Sequence, residues 1–342
     1  MMKSLTRLMI TALLTTAACG SNGGASSSGT AGTSGAAGTT GSAGTGASAG
    51  TTGAAGTTGA AGTGSSSTGS AKADSIAYTS GWGCVILAGN KLGCWNTDVS
   101  NAKIPVIPGV SAKAVSIYGS TALVALTDGT AEYVALGDNN KLTPVPGFTN
   151  VVSVAQYNQG GVVLLADGTV QYYQNNVWMP LGGFVDVAQL AVGSRGWFAV
   201  QKDGTLLFTG FPNEAPKTKL TGVKQVSVRI LTAALMADGT VQTDLDKATP
   251  TAVAGLSGAT MVAAGGEAAC ALMGDHSVKC WGSNATQEFL TSAPDFDTHP
   301  PTTITGVVNA AAIAVGDHSA IALQTSGDVW AWGPTLTTIA HP

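Results

Sequence analysis

The stretch "CALMGDHSVKCWG", residues 270 to 282, decides the fold because the chain holds an earlier copy of it. The earlier copy is "CVILAGNKLGCWN", residues 84 to 96. In both stretches two cysteines stand ten positions apart, and apolar residues alternate on either side of a short turn. Alternation with a period of two is typical of β-strands, so each stretch predicts a β-hairpin.

The hairpin pattern occurs seven times along the chain. One turn residue marks each copy: Asn90, Gly129, Gly168, Gly204, Gly239, His276 and Gly327. A three-residue loop of the type "A-D-G" needs a left-handed residue, which glycine supplies without steric cost. Asn and His are among the few other types enriched in that conformation. We therefore interpret His276 as a substitute for a turn glycine and not as a metal ligand.

The three-residue loop also predicts which residues face each other across each hairpin. The position six before the turn residue faces the position four after it. The seven pairs are Cys84 with Cys94, Leu123 with Tyr133, Val162 with Tyr172, Phe198 with Phe208, Ala233 with Thr243, Cys270 with Cys280, and Ile321 with Ala331. Directly opposed residues lie within disulfide range, so we predict two disulfides. Free thiols or a metal site are the alternatives, although zinc needs four ligands and no such set is visible.

A second short motif precedes every hairpin except the first. Its copies are "IPVIPGV" (104–110), "TPVPGF" (143–148), "MPLGGF" (179–184), "TKLTGV" (218–223), "PTAVAGL" (250–256) and "PTTITGV" (301–307). Residues 336 to 340, after the last hairpin, resemble a further copy. We therefore predict that a C-terminal strand completes the first blade and closes a ring without an open edge. Seven four-stranded units of about 39 residues predict an all-β, seven-bladed β-propeller.

Three stretches resemble the repeats of RCC1-like (regulator of chromosome condensation type) propellers. They are "LAVGSRGWFAVQKDGTLLFTG" (190–210), "VAAGGEAACALMGDHSVKCWG" (262–282) and "IAVGDHSAIALQTSGDVWAWG" (313–333). All three share two features with that family: the hairpin turn, and a glycine eleven positions before the turn residue. The last two stretches also end in Trp-Gly. The resemblance covers about residues 75 to 342 and is strongest in the last two repeats. It implies an RCC1-like fold, and it implies function less firmly than fold.

The N-terminal segment resembles an export signal. Lys3 and Arg7 precede an apolar run that ends in small residues before Cys19, so residues 1 to 18 are predicted to be a signal peptide. Cys19, in "LLTTAACGS", resembles the lipid-attachment cysteine of bacterial lipoproteins, although Thr16 stands where that family usually has Leu. The alternative is ordinary cleavage after Ala18, which would leave a free thiol.

A low-complexity segment follows Cys19. Residues 20 to 71 are Gly, Ala, Ser and Thr except for Asn22. Because such a segment has nothing to bury, we predict that residues 19 to 71 are a lipid-anchor cysteine with a flexible linker and that residues 72 to 342 form the propeller. The expected location is the outer membrane or cell surface, with a periplasmic or secreted protein as the alternative.

Charge and composition restrict the function. Without Lys3 and Arg7, 13 of the 15 basic residues remain against 19 acidic residues, which gives the propeller a net charge of −6. That balance disfavours nucleic acid, which needs basic patches. The chain has only four histidines and shows no acid–base pair, so we predict no catalytic residue, no cofactor and no enzymatic activity.

One long loop is the candidate binding site. The stretch "TQEFLTSAPDFDTHPP", residues 286 to 301, lengthens the interval between the last two turns to 51 residues. Long loops on rigid scaffolds often carry function. Asp295, Asp297 and His299 alternate like metal ligands, but we interpret the segment as a solvated surface loop and predict no metal. The candidate binding residues are Glu288, Phe289, Asp295, Phe296, Asp297 and His299.

Taken together, these features predict a monomeric protein-binding module. Its partner is expected to be an unidentified extracellular or envelope protein, and it is expected to touch the membrane only through its lipid anchor. One alternative is a secreted inhibitor of an extracellular enzyme, since secreted bacterial relatives of RCC1 include inhibitors that bind β-lactamases through one propeller face. The other alternative is a propeller-type hydrolase or lyase acting on extracellular glycans.

Overall fold

The computed structural model describes residues 76–79, 81–96, 103–158, 160–285, 297–333 and 336–339. Within these ranges the chain forms 27 β-strands and one 3-10 turn, Ala88–Asn90. No helix in the described ranges has the length and apolar character needed to cross a membrane. The predicted all-β fold is therefore confirmed.

The strands form seven units of four, each unit built around one predicted hairpin. The first sheet joins units 1 and 2 through one long strand, β4, and each later unit is a separate four-stranded sheet. Unit 1 consists of β1 (Ile76–Thr79), β2 (Trp82–Leu87), β3 (Lys91–Asn96) and the first half of β4 (Val106–Tyr118). Unit 2 consists of the second half of β4, β5 (Thr121–Leu126), β6 (Ala131–Ala135) and β7 (Lys141–Pro144).

The remaining units repeat this order without sharing strands. Unit 3 consists of β8 (Val151–Tyr157), β9 (Gly160–Leu165), β10 (Val170–Gln174) and β11 (Val177–Pro180). Unit 4 consists of β12 (Val187–Gly193), β13 (Gly196–Gln201), β14 (Leu206–Thr209) and β15 (Lys217–Leu220). Unit 5 consists of β16 (Val223–Val228), β17 (Thr232–Met236), β18 (Val241–Thr243) and β19 (Thr251–Ala252).

Units 6 and 7 complete the series. Unit 6 consists of β20 (Ala259–Ala264), β21 (Ala268–Met273), β22 (Val278–Ser283) and β23 (Thr298–Thr303). Unit 7 consists of β24 (Ala310–Val315), β25 (Ala320–Gln324), β26 (Val329–Trp332) and β27 (Leu336–Ile339). The first strand of each unit contacts the first strands of neighbouring units, and β1 contacts both β4 and β24. We call these first strands the inner strands.

The register predicted from the turns is confirmed in all seven hairpins, from Cys84 opposite Cys94 to Ile321 opposite Ala331. The two turn residues that are not glycine adopt the expected left-handed conformation, with φ of 62° at Asn90 and 65° at His276. His276 also donates a hydrogen bond from Nδ1 to the Ala310 carbonyl, at 3.0 Å. The His276 side chain therefore stabilises a hairpin turn, as its position in the repeat predicts.

Both cysteine pairs lie at disulfide distance. The Cα atoms of Cys84 and Cys94 are 4.1 Å apart, and those of Cys270 and Cys280 are 4.0 Å apart. All four cysteines are buried between strands of the hairpins. The pairs therefore occupy positions that apolar or aromatic partners fill in other units.

We expect mass spectrometry to find the non-reduced protein four hydrogens lighter than the reduced protein. Peptide mapping should link Cys84 to Cys94 and Cys270 to Cys280. Each bridge closes a loop of ten residues, so removing one pair as Cys270→Ala with Cys280→Ala is expected to cost up to about 3 kcal/mol of stability. A crosslink between Cys84 and Cys280 would contradict the hairpin register.

The prediction that the C-terminal strand completes the first blade is wrong. β27 pairs with β26 of its own unit, with Leu336 opposite Trp332 and Ile339 opposite Val329. The first unit has its own inner strand, β1, which pairs with β2. The motif that precedes each later hairpin in the sequence belongs to the outer strand of the preceding unit, as Lys141–Pro144 of unit 2 illustrates. The final copy of the motif therefore belongs to the last hairpin.

Units 1 and 7 contact each other through side chains. Ile76 and Trp95 of unit 1 share an apolar cluster with Ile313 and Trp332 of unit 7. The Tyr78 hydroxyl also forms a hydrogen bond with the Ser319 hydroxyl, at 2.6 Å. Among the described strands, the two ends of the repeat array are thus joined by side-chain packing and not by backbone pairing.

Buried polar side chains join neighbouring inner strands. Gln189 donates from Nε2 to the Val226 carbonyl and accepts from the Val226 N–H, at 2.9 and 2.8 Å. Gln225 makes the same pair of bonds to Val262 of the next unit, at 3.0 and 2.9 Å. These amides satisfy backbone groups that the sheets leave unpaired at the inner edge. They fix the alignment of units 4, 5 and 6.

Carboxylates stabilise five of the hairpin turns. In each turn Asp Oδ1 accepts the backbone N–H two residues ahead, at 2.8 to 3.0 Å. These bonds, with hydroxyl bonds from the same Thr or Ser, hold the pKa of each carboxyl below its ordinary value of 3.8. The backbone bond is the larger cause of the pKa shift in Asp128 and Asp203. The hydroxyl bond is the larger cause in Asp167, Asp238 and Asp275.

The turn carboxylates predict a loss of stability in acid. Because their pKa values are lower in the folded protein, the stability they add is fully present above about pH 4 and is lost as the pH falls through the lowered values. Denaturant midpoints measured from pH 7 down to about pH 2 should therefore fall. Asp238→Asn keeps the turn acceptor but removes one titrating group, so it should flatten this fall, whereas Glu214→Gln in an exposed loop is the control. An identical acid profile for Asp238→Asn and the unmodified protein would contradict the assignment.

Candidate binding face

The connections that follow the inner strands gather at one end of the molecule. Equivalent positions of neighbouring inner strands contact each other: the Ser116 hydroxyl accepts the Gln156 N–H, and the Ser227 hydroxyl accepts the Ala264 N–H. The inner strands therefore run in the same direction, and antiparallel pairing returns the third strand of each unit to the same end. We call this end the loop face. Its described inner connections are residues 119–120, 194–195, 229–231, 265–267 and 316–319.

Close backbone approach explains the glycines shared with the RCC1-like repeats. Gly193, Gly265 and Gly316 stand at or just beyond the ends of inner strands. A Cβ at Gly193 would collide with the Arg229 carbonyl, and one at Gly265 would collide with the Gly316 carbonyl. A Cβ at Gly316 would lie 2.8 Å from the Tyr78 ring. These positions need glycine because the next unit passes directly over them.

A bidentate ion pair spans the loop face. Arg229 of unit 5 donates from Nε and Nη2 to the two carboxylate oxygens of Asp317 in unit 7, at 2.5 and 2.7 Å. The two side chains are 14% and 29% exposed, so the pair is only partly hydrated. It passes over unit 6, where the Gly266 N–H donates to the Gly316 carbonyl. Bidentate geometry makes this pair a rigid element of the face.

Exposed apolar and cationic side chains also lie on the loop face. Ile230, next to Arg229, is 42% exposed, and Phe211, in the connection between β14 and β15, is 64% exposed. Arg195 donates from Nε to the Ile230 carbonyl at 3.0 Å, and its Nη1 lies 4.0 Å from Asp246. Half of the Arg195 side chain is exposed. The loop face therefore presents an aromatic ring, an aliphatic side chain and a guanidinium group to solvent.

The axial cavity is too small to hold a substrate. It is lined by residues from all seven inner strands and their ends, among them Tyr78, Ile117, Tyr157, Val192, Arg229, Met261 and Ile313. Its volume is about 40 Å³, against the ~300–1,000 Å³ typical of small-molecule sites. The cavity can hold a few water molecules at most.

Most residues of the predicted binding loop lie outside the described residues. These are Glu288, Phe289, Asp295 and Phe296, and the same holds for Cys19. Asp297 is exposed, and His299 is half-buried on β23 opposite Gly282. Within the described ranges no group of three or more His, Cys, Asp or Glu side chains could hold a metal ion. β22 ends at Ser283 and β23 begins at Thr298, so the described residues on both sides of this segment lie at the loop face.

Sequence reasoning missed the ion pair and the cluster around it. Arg229 and Asp317 are 88 residues apart, and no repeat position links them. One signal was present: the chain has only three arginines, and Arg195 and Arg229 hold nearly equivalent positions in units 4 and 5. Two of the three arginines thus stand just after inner strands, and this placement was the sequence signal that pointed to the loop face.

Comparison of this chain with solved protein structures identifies its fold. Prp20p from Saccharomyces cerevisiae, whose binding properties to Gsp1p and histones have been described, superposes with a TM-score of 0.61 at 15% identity. The match covers 72% of this chain and 81% of Prp20p, and the yeast protein is itself an RCC1. The chain has an RCC1-like β-propeller fold.

Other solved structures are similar to this chain at lower scores. Human WBSCR16 matches with a TM-score of 0.56 at 15% identity, covering 70% of this chain and 83% of its own. PorZ, a bacterial surface component of the type-IX secretion system of Porphyromonas gingivalis, matches with a TM-score of 0.56 at 10% identity. That match covers 81% of this chain but only 39% of PorZ. No protein-family model and no curated protein sequence matches this chain.

Proposed function

We propose that the chain is an exported, lipid-anchored envelope protein whose propeller binds another protein through the loop face. The observation that carries this proposal is that Phe211, Ile230 and Arg195 are exposed on the loop face, which also holds the rigid Arg229–Asp317 pair. Aromatic and arginine side chains dominate the energetically important positions of protein interfaces. An ordered frame lowers the entropy cost of binding.

Two comparisons support this kind of role without specifying the partner. Prp20p shows that an RCC1-like propeller can bind proteins, namely Gsp1p and histones. PorZ shows that a protein of similar fold can act at a bacterial surface. The net charge of −6 makes a nucleic-acid partner a poor match, because binding there depends on basic patches. The proposed role is therefore binding of an envelope or extracellular protein without catalysis.

Affinity capture with matched surface variants tests the loop face. We expect the full chain to retain a specific envelope protein, and Ile230→Asp or Arg195→Glu to weaken retention by about tenfold or more. Val308→Asp is the control, because Val308 is 53% exposed but precedes an inner strand at the opposite end. Equal retention by Ile230→Asp and Val308→Asp would show that another surface binds.

Replacing Cys19 tests the anchor separately. If a lipid is attached there, Cys19→Ala should move the protein from the membrane fraction to the soluble fraction, because the substitution removes the proposed attachment site. Ser21→Ala in the same segment is the control and should leave the protein in membranes. Membrane association that survives Cys19→Ala would contradict the lipoprotein proposal.

A further inference from the structure

A cleft between units 3 and 4 opens at the loop face, but Ile230 and Arg195 of the proposed protein-binding surface do not line it. It has a volume of about 440 Å³, within the range typical of small-molecule sites. Tyr157, Tyr173 and the 175–176 turn line it on the side of unit 3, and Trp197 and Phe211 line it on the side of unit 4. The cleft is more than ten times larger than the axial cavity. It is therefore a second candidate site.

The aromatic rings of the cleft are held in place by their neighbours. Trp197 packs edge-on against the buried Tyr172, with ring centroids 5.4 Å apart. Tyr157 packs edge-on against Tyr118, at 5.2 Å. Tyr173 contacts Trp178, also at 5.2 Å. Rings supported in this way present fixed apolar platforms that need little further ordering when a ligand binds.

Amide side chains form the polar part of the lining. Asn158, Gln174, Asn175 and Asn176 all line the cleft and are exposed. Asn175 and Asn176 form the turn between β10 and β11 with φ of 53° and 65°, a conformation that asparagine tolerates well. The Tyr173 hydroxyl lies 3.4 Å from Asn176 Oδ1 and can donate to it. Each amide offers both donors and an acceptor.

Among the residues that the structure describes, no Asp, Glu, Lys, Arg or His side chain lines the cleft. A charged peptide or an anionic ligand would therefore find no counter-ion in the cleft. Hydrolysis of a glycosidic bond uses two carboxylates, so the lining supports binding and not cleavage. The ligand that fits must be neutral, must have apolar faces to stack on rings, and must have a rim of groups that both donate and accept hydrogen bonds.

We propose that this cleft binds a neutral oligosaccharide. A pyranose ring has a face of C–H groups that can stack on Trp197 or Tyr157, and its hydroxyls match the donor and acceptor pattern of the four amides. The volume accommodates part of a short chain and not a folded domain. Neither Arg229 nor Asp317 lines the cleft, and of the exposed side chains proposed for protein binding only Phe211 does.

Calorimetric titration of the full chain with cellohexaose, mannohexaose and N-acetylchitohexaose tests the proposal. At least one of these neutral sugars should bind with a dissociation constant below about 1 mM. Trp197→Ala should weaken that binding by about tenfold or more, whereas Trp330→Ala, a half-buried tryptophan of unit 7, should leave it unchanged. Absence of binding by all three sugars would overturn the proposal.

A second variant pair removes amides without disturbing a turn. Asn175→Gly with Asn176→Gly keeps the left-handed turn but removes two amides, and it should weaken sugar binding by about tenfold. The control is Asn139→Gly with Asn140→Gly, a left-handed pair in unit 2 with φ of 49° and 55° that does not line the cleft. Equal binding by the two double variants would overturn the assignment of the site.

The test also distinguishes this proposal from the proposed function. Ile230→Asp should weaken protein capture by about tenfold or more and leave sugar binding intact, whereas Trp197→Ala should weaken sugar binding and leave protein capture intact. Decaproline is the peptide probe, because proline-rich segments also dock in aromatic grooves. Binding of decaproline instead of any sugar would overturn the oligosaccharide proposal and identify the cleft as a peptide groove.

Discussion

Replacing Gly265 with alanine is expected to lower the free energy of unfolding by about 3 kcal/mol or to prevent folding. A Cβ at this position would collide with the Gly316 carbonyl and the Val315 side chain of unit 7, and would lie 2.9 Å from the Ala268 carbonyl. Relief by movement is blocked because the Gly265 carbonyl accepts the N–H groups of Ile230 and Leu231 in unit 5. The backbone at Gly265 is thus held between unit 5 and unit 7.

Gly182→Ala is the matched control for this substitution. A Cβ at Gly182 meets nothing within 4 Å, and the residue is not among those with a left-handed backbone. The change should be neutral or should stabilise the protein by up to about 1 kcal/mol, because alanine restricts the unfolded chain. The measurement is the denaturant midpoint of both variants, and equal midpoints would show that the inner strands are not packed as tightly as described.

Gln225→Met is expected to cost about 2–4 kcal/mol of stability. Gln225 is only 6% exposed, and its amide pairs with both the N–H and the carbonyl of Val262. Methionine has a similar size but cannot replace either bond, so two backbone groups at a buried interface lose their partner. Each unsatisfied buried group costs about 1–3 kcal/mol.

Gln201→Met separates this effect from the loss of an amide in general. Gln201 makes one exposed bond, from Nε2 to the Val185 carbonyl at 2.9 Å. Water can replace that bond, so the expected loss is below about 1 kcal/mol. Chemical denaturation of the two variants side by side gives the comparison. A loss for Gln225→Met no larger than that for Gln201→Met would show that the glutamines do not join the units.

The hairpins could be predicted because their information is local. A three-residue loop with a left-handed residue determines both the turn and the pairing, so Cys84 opposite Cys94 followed from spacing alone. The same rule held where the turn glycine was replaced, as at Asn90 and His276. Side-chain identity at the facing positions varied widely between units without disturbing the register.

The outer and inner strands were harder to assign. Ile76–Thr79 is only four residues long and follows a low-complexity segment, so it carries no periodic signal. A strand between two hairpins can pair with either neighbour, and the order of residues does not distinguish the two arrangements. For that reason Leu336–Ile339 was expected in unit 1 but lies in unit 7.

The loop face and the cleft could not be predicted because their residues are far apart in the chain. Arg229 and Asp317 belong to units separated by a third unit. The cleft joins a turn of unit 3 with Trp197 and Phe211 of unit 4. Apart from the nearly equivalent positions of Arg195 and Arg229, these side chains do not follow the repeat, so periodicity does not predict their contacts. The fold of the individual units was needed to place them together.

The local pairing of every described strand has a consequence for how the protein forms. Because each strand pairs with a neighbour in sequence, a unit can form as soon as its own segment of about 40 residues has emerged from the ribosome or translocon. The contacts that require both unit 1 and unit 7 are the hydrogen bond between Tyr78 and Ser319 and the apolar cluster around it. Until unit 7 arrives, the flank of unit 1 that carries Ile76 and Tyr78 stays uncovered. Incomplete chains would associate through that apolar flank. Once unit 7 has been synthesised, it covers the flank and prevents this association.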